Sequence, residues 1–153
     1  MNRATTWQVE QAAVLAVQRS LLVHTELIDA TPSTDLGIDL IAFRADPFAA
    51  IPIQVKGAQS GLTVWAKHAS PRLLLAYVLD PLAADPTVCI MSGEEAYNLP
   101  TEYIHRGGSA KGAGKWTYRW ASITNLLRSM LLEYEASQER WQHYVKRFTA
   151  QKD

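Results

Sequence analysis

The chain holds a single cysteine, Cys89, among its 153 residues. One thiol cannot form an internal disulfide, and zinc sites that need several cysteines are excluded. The formal net charge is zero, which argues against a protein that coats nucleic acid by bulk charge but leaves a local basic patch open. No apolar run is long enough to span a membrane, and residues 1–6 lead into a mixed helix rather than an apolar signal core. We therefore expect a cytoplasmic protein.

Hydrophobic residues make up 48% of the chain and charged residues 20%, which is typical of a globular domain. The sequence contains no internal repeat and no interdomain linker. We therefore predict a single domain over residues 1–153. Its core is expected at about 5–99, followed by a basic loop, a strand and a helical extension at about 100–150.

The N-terminal segment from Thr5 to about Leu22 has helical spacing, and Thr5 and Gln8 are placed as in a capping box. Glu10 lies in line with the apolar stripe of this helix, so its carboxylate is a candidate site residue. Another interpretation is that Glu10 favours the helix dipole from the first turn and points to water. The stripe itself consists of Ala13, Val14, Val17 and Leu21.

Short apolar segments bounded by Gly, Pro or Asp are typical of strands. Besides a hairpin at 36–57, they lie at residues 21–30, 61–67, 72–79, 87–91 and 116–120. Ser92 can cap a helix to about Leu99, and helical spacing returns from Ser122 with a break near Ser137. This order predicts an α/β domain with a mixed central sheet, flanked by the N-terminal helix and a long C-terminal helical segment.

The hairpin carries three polar residues on otherwise apolar strands. If its turn centres between Pro47 and Phe48, Asp39 lies opposite Lys56, and Gln54 is the diagonal neighbour on the same face. Buried polar groups cost free energy unless they are paired, so this convergence indicates a functional site. A structural interpretation also stays open, in which Asp39 ends a turn, Gln54 bonds the backbone and Lys56 extends to solvent.

The segments Gly37-Ile38-Asp39-Leu40-Ile41 and Ile53-Gln54-Val55-Lys56-Gly57, with Glu10 before them, resemble the motifs of the PD-(D/E)xK nuclease superfamily. This superfamily includes restriction-endonuclease-like and Holliday-junction-resolvase-like proteins. The resemblance covers about the first ninety residues and implies a restriction-endonuclease-like sheet. It also implies a Mg²⁺-dependent (or Mn²⁺-dependent) endonuclease acting on DNA. In that reading Asp39, Glu10, Gln54 and the Val55 carbonyl surround the metal, and Lys56 is catalytic.

One residue departs from the superfamily pattern, because Gln54 stands where the usual motif has an acid. An amide oxygen can bind magnesium but brings no negative charge. The departure keeps an alternative open: a catalytically inactive member of the fold that acts as a nucleic-acid-binding or protein-assembly module.

The glycine-rich stretch from Arg106 to Lys115, together with the strand after it, offers four basic residues for phosphate contacts. They are Arg106, Lys111, Lys115 and Arg119. The stretch can equally be a solvated loop before an aromatic strand that faces the core.

Two further groups of residues are assigned by spacing alone. The four histidines, His24, His68, His105 and His143, lack metal-ligand spacing, and we expect surface positions for them. The aromatic stripe Trp141, Tyr144 and Phe148 is interpreted as core or as a homodimer contact.

Overall fold

The computed structural model describes residues 4–34, 37–109 and 117–150. Its helices are α1 (Thr6–His24), α2 (Gly93–His105), α3 (Asn125–Leu132) and α4 (Gln138–Ala150). Its strands are β1 (Ile28–Ala30), β2 (Leu40–Arg44), β3 (Ala49–Ala58), β4 (Leu62–Trp65), β5 (Leu74–Leu79), β6 (Thr87–Ser92) and β7 (Thr117–Trp120). A 3₁₀ turn, Ala66–His68, follows β4.

Five strands form a mixed sheet in the order β1-β2-β3-β5-β6, and β4 pairs with β7 in a separate two-stranded ribbon. All neighbours in the large sheet are antiparallel except β3 and β5, which run parallel. The chain makes the crossover between β3 and β5 through β4 and the 3₁₀ turn. The predicted mixed sheet with an N-terminal helix and C-terminal helices is confirmed.

Each face of the sheet packs against its own layer. Alternate residues of β3 such as Ile53 and Val55 join α1 and α4 in one apolar cluster. The other face contributes residues such as Tyr77 and Met91, which pack with α2, α3 and the β4–β7 ribbon. Because side chains alternate along a strand, the even-numbered residues of β3 lie on this second face.

The N-terminal helix begins as predicted, with the Thr5 side chain and Gln8 forming a capping box. It runs on to His24, so the predicted strand at 21–30 is wrong over most of its length and only Ile28–Ala30 is extended. Leu21 is buried in the core from the helix. Leu22 and Val23, which also suggested a strand there, lie on the exposed side of the helix.

The hairpin forms, but its register differs from the prediction by two residues. Leu40 pairs with Ile53, so continuing the register puts Asp39 opposite Gln54 rather than Lys56. The turn therefore centres between Asp46 and Pro47. A shift of two residues leaves every side chain on the same face of the sheet. The side chains of Asp39, Gln54 and Lys56 therefore still share one face, as predicted.

The C-terminal aromatic residues Trp141 and Tyr144 are fully buried. The indole nitrogen of Trp141 donates to Ser20 at 2.9 Å, and the Tyr144 hydroxyl donates to Glu95 at 2.6 Å. The stripe is therefore core, and these two side chains offer no surface for a partner. Among the described residues, no helix combines the length and apolar character needed to cross a membrane.

Candidate active site

The candidate site lies at the start of β2, where the pairing between β2 and β3 ends. The pairing of β2 with β3 starts at Leu40 and Ile53, so β3 continues past the end of its neighbour over Gln54 to Ala58. On its other side β3 stays paired with β5 through this stretch. This geometry opens one side of the β3 backbone to the residue that precedes β2, which is Asp39.

Asp39 fills this opening with both its backbone and its side chain. Its backbone N–H donates to the Ile53 carbonyl at 2.9 Å. Its Oδ2 accepts one hydrogen bond from the Val55 backbone N–H at 2.7 Å and another from Gln54 Nε2 at 2.9 Å. Both donors bond to the same oxygen, so the carboxylate is held in one orientation and its Oδ1 is turned away from these donors.

Gln54 is 6% exposed, and its Oε1 has no hydrogen-bond partner among the described residues. A buried acceptor without a partner costs about 1–3 kcal/mol, so it calls for an explanation. Gly37 lies next to this oxygen with a φ of +73°, and a Cβ at Gly37 would come within 3.9 Å of it. The positive φ favours glycine there, which leaves room beside the Gln54 oxygen.

Lys56 follows Gln54 by two residues, so the two side chains lie on the same face of β3. Its side chain is half-buried, and its backbone is paired with Tyr77 of β5. The sequence-predicted residues Asp39, Gln54 and Lys56 therefore come together at one end of the sheet. Stability alone does not account for a carboxylate, an unpaired amide oxygen and an amine in one partly buried patch.

His68 is a member of this neighbourhood that the sequence did not predict. Its side chain is 9% exposed, so the predicted surface position is wrong. Burial lowers the pKa of His68, the charges of Lys56 and Lys67 lower it further, and Asp39 acts in the opposite direction. A Cβ at Gly93 would lie 1.8 Å from the His68 carbonyl oxygen, so the start of α2 packs tightly on this turn. No local sequence pattern signals such a contact between distant segments.

Glu10 lies on α1, which packs on the opposite face of the sheet. The preceding residue, Val9, contacts the strand directly, because a Cβ at Gly57 would lie 2.9 Å from Val9 Cγ1. Glu10 itself is exposed and makes no hydrogen bond with the described residues. Its carboxylate must pass the end of β3 to approach Asp39, so its role as a ligand stays a prediction.

A hard divalent cation needs oxygen donors arranged around one point. No group of three or more His, Cys, Asp or Glu residues in the described part of the chain is arranged to hold a metal ion. Magnesium, however, is commonly bound by only one or two carboxylates, with waters and substrate phosphates completing its shell. The unpaired Gln54 Oε1, the oriented Asp39 carboxylate and the Val55 backbone beside it supply oxygen donors of this kind. The residues therefore fit a magnesium or manganese ion that is completed by its substrate.

The four predicted phosphate-binding residues have different surroundings. Arg106 pairs with Glu133 at 2.6 Å and with Glu102 at 3.1 Å. Arg119 is exposed on β7 and makes no ion pair with the described residues. Lys111 and Lys115 lie outside the described residues. The proposed phosphate contacts of all four stay predictions.

No family model and no curated protein matches the chain. Among solved structures, the chain is similar to the bacterial homing endonuclease I-Ssp6803I, with a TM-score of 0.58 and 13% sequence identity. The match covers 98% of this chain and 99% of that chain. At this identity the likeness shows the fold, which is nuclease-like and extends over the C-terminal third where the sequence offered no motif.

Proposed function

We propose that this protein is a metal-dependent endonuclease of the PD-(D/E)xK kind, which hydrolyses phosphodiester bonds in DNA. The observation that carries the proposal is the buried Gln54 Oε1 without a partner, held beside a carboxylate that the β3 backbone orients. The likeness of the whole chain to an endonuclease supports the same reading.

In this proposal the metal ligands are Asp39, Gln54 Oε1, the Val55 carbonyl and Glu10. Magnesium or manganese bound there would neutralise phosphate charge and favour ionisation of a water. The protein's contribution is to orient the donors, since Asp39 Oδ2 is already held by Val55 and Gln54. With an amide in place of one acid, metal affinity depends mainly on Asp39 and Glu10.

Lys56 is the proposed catalytic residue. Its ammonium lies on the same face as Gln54, where it can hold a non-bridging phosphate oxygen and orient the attacking water. Hydrolysis forms a bond from the water oxygen to phosphorus and breaks the bond to the leaving sugar oxygen, which takes up a proton. Holding the water and the phosphate in a reactive geometry lowers the activation barrier, because the loss of translational and rotational entropy has already occurred on binding.

The proposal is tested by cleavage of labelled nucleic acids with magnesium or manganese. The panel holds linear duplex, nicked, flapped, four-way and single-stranded DNA, and RNA. We expect cleavage by the wild type and its loss in Lys56→Ala. Lys146→Ala removes an exposed lysine of α4 and should leave cleavage unchanged. Equal activity of Lys56→Ala and the wild type would refute the assigned role of Lys56.

A second candidate function is that of an inactive relative that binds nucleic acid or assembles with protein. The observation that favours it is Gln54 in the position of an acid, because the site then has one fewer negative charge. Metal affinity separates the two candidates. Calorimetry at millimolar metal should detect weak magnesium or manganese binding that Asp39→Ala abolishes if the site is active, and no binding by either protein if it is not.

A homodimer would suit this proposal, because two copies of the site can cut the two strands of a duplex together. The buried Trp141 and Tyr144 do not supply its interface. Molar mass measured by light scattering, with and without DNA, tests whether two copies act together.

A further inference from the structure

The net charge of the chain is zero, but its basic and acidic residues are unevenly distributed along the sequence. Residues 47–79 and 103–132 contain eight of the fifteen Lys and Arg residues and none of the fifteen Asp and Glu residues. The rest of the chain carries seven basic and all fifteen acidic residues. Arg106 and Arg128 of the first part pair with acids of the second, so a phosphate backbone is attracted mainly to the other basic residues of the first part.

The fold brings these two acid-free stretches together in the β4–β7 ribbon. β4 comes from the first stretch and β7 from the second, and they pair antiparallel with Thr63 opposite Arg119 and Trp65 opposite Thr117. We call the surface formed by these four side chains the outer face of the ribbon. Trp65 and Arg119 on it are exposed, and Thr63 and Thr117 are partly exposed.

The opposite side of the ribbon is fixed to the protein core. Leu62, Val64, Tyr118 and Trp120 are buried in the cluster with α2 and α3. The Tyr103 and Trp120 rings meet edge to face at 5.4 Å. A Cβ at Gly61 would lie 2.5 Å from the Trp120 carbonyl, so the two strands are also closely packed at this end. The outer face is therefore presented on a rigid support.

The ribbon also leads directly into the candidate site. Lys67, just after β4, lies with its Nζ 5.2 Å from the Trp65 ring centre. The next residue, His68, senses the charges of Lys56, Lys67 and Asp39. Lys67 therefore borders both the outer face of the ribbon and the surroundings of His68 and Lys56.

Resting on the proposed function, we propose that the outer face of the β4–β7 ribbon binds duplex DNA in the major groove beside the active site. A two-stranded ribbon fits the major groove, which is about 12 Å wide. Arg119 has the side chain that most often contacts guanine edges there, and threonine can bond a base or contact the thymine methyl group. Lys67 supplies a phosphate contact at the border with the site.

The test measures binding without cleavage, by fluorescence anisotropy of a labelled duplex in EDTA and again in calcium. Each phosphate contact contributes about 0.9 to the slope of log affinity against log salt. We expect Arg119→Ala and Lys67→Ala each to weaken binding several-fold at moderate salt, and Lys67→Ala and the double variant each to lower the slope by about 1. Arg119→Gln keeps much of the side-chain stem, so a loss in both Arg119 variants is not a packing effect.

Arg19→Ala is the matched control. Arg19 is an exposed arginine on α1, across the sheet from the ribbon, and it makes no ion pair with the described residues. Arg19→Ala removes the same formal charge as Arg119→Ala, but far from the ribbon. The DNA affinity and salt slope of this variant should therefore equal those of the wild type. The groove is tested by competition: methyl green, a major-groove ligand, should displace the protein, and netropsin, a minor-groove ligand, should not.

The outcomes separate this inference from the proposed function. If the wild type binds and cleaves DNA but Arg119→Ala and Lys67→Ala match Arg19→Ala, the ribbon is not the binding surface and the endonuclease proposal stands. Displacement by netropsin alone overturns the major-groove assignment. A wild type that neither binds nor cleaves any duplex overturns both.

Discussion

The replacement of Gln54 by glutamate is the most informative single change at the candidate site. In the wild type, Gln54 Nε2 donates to Asp39 Oδ2 at 2.9 Å from a side chain that is 6% exposed. Gln54→Glu turns this donor into a carboxylate oxygen that faces another carboxylate. The new side chain has the same length, and burial leaves it little room to turn toward solvent.

The cost can be bounded in two ways. Two unit charges about 3 Å apart repel by about 5 kcal/mol at an effective dielectric constant of about 20. The pair can avoid this by taking up a proton, which at pH 7 costs about 4 kcal/mol for a carboxyl whose ordinary pKa is about 4.3. The smaller cost sets the limit, so we expect Gln54→Glu to lose about 2–4 kcal/mol of unfolding free energy at pH 7 without metal.

The pH dependence has a definite sign. In the variant, the carboxyl pair keeps a proton to higher pH than the unfolded chain does, so its pKa in the folded state is raised. Above pH 4.3 the folded state then holds the extra proton, and stability falls by about 1.4 kcal/mol per pH unit as pH rises. Metal opposes this loss, because an ion bound to both carboxylates at 100 times its Kd adds about 2.7 kcal/mol.

Urea unfolding from pH 5 to pH 8, with EDTA or with magnesium, measures both effects. Gln18→Glu is the matched control, because Gln18 Nε2 donates to Asp29 Oδ2 at the same 2.9 Å but away from the site. It should lose stability without recovering it in magnesium. A Gln54→Glu protein as stable as the wild type at pH 8 in EDTA would refute the buried Gln54–Asp39 pair. If magnesium restored the stability of Gln54→Glu and Gln18→Glu equally, the proposal of a specific metal site at Asp39 and Gln54 would be refuted.

Three further predictions concern residues around the site and the core. Burial lowers the pKa of His68 in the folded protein below its ordinary value of 6.5. The unfolded chain therefore binds the extra proton first, and the free energy of unfolding falls as the pH drops below 6.5. Between pH 7.5 and pH 5, urea unfolding should show a smaller loss of stability in His68→Gln than in the control His143→Gln, which changes an exposed histidine. Tyr144→Phe removes a 2.6 Å hydrogen bond to Glu95 and should cost about 1.5–3 kcal/mol, and a loss below about 0.5 kcal/mol would contradict that bond. Gly93→Ala puts a Cβ 1.8 Å from the His68 carbonyl, so thermal unfolding should show the upper end of the about 1–3 kcal/mol cost of overpacking, and an unchanged melting temperature would contradict the tight contact.

The sequence was sufficient to predict the face on which the polar residues of the hairpin converge. Alternation along β2 and β3 fixes the parity of each side chain, so Asp39, Gln54 and Lys56 meet whether the turn centres before or after Pro47. Alternation does not fix the register within that parity. The prediction therefore paired Asp39 with Lys56, whereas the structure makes Gln54 its partner.

The features that the sequence could not predict depend on contacts between distant segments. The pairing of β4 with β7 joins strands from different thirds of the chain, and neither strand has a local pattern that names its partner. The packing of the turn at His68 likewise involves the backbone of a distant residue, Gly93. The strand predicted from residue 21 was wrong for another reason: Leu21 suits both a strand and a buried helical stripe, and tertiary packing decides between them.

The charge separation along the chain bears on how the proposed metal site would fill. Among the described residues, Asp39 is the carboxylate that hydrogen bonds orient at the site, and Gln54 adds no charge, so these two side chains alone offer a divalent ion little attraction. Substrate phosphates are the natural completion of such a shell. If the ribbon brings DNA to Lys67 and Lys56, phosphate oxygens arrive beside Asp39 at the same time. Metal and DNA then bind with a shared coupling free energy, and each must raise the affinity of the other by the same factor.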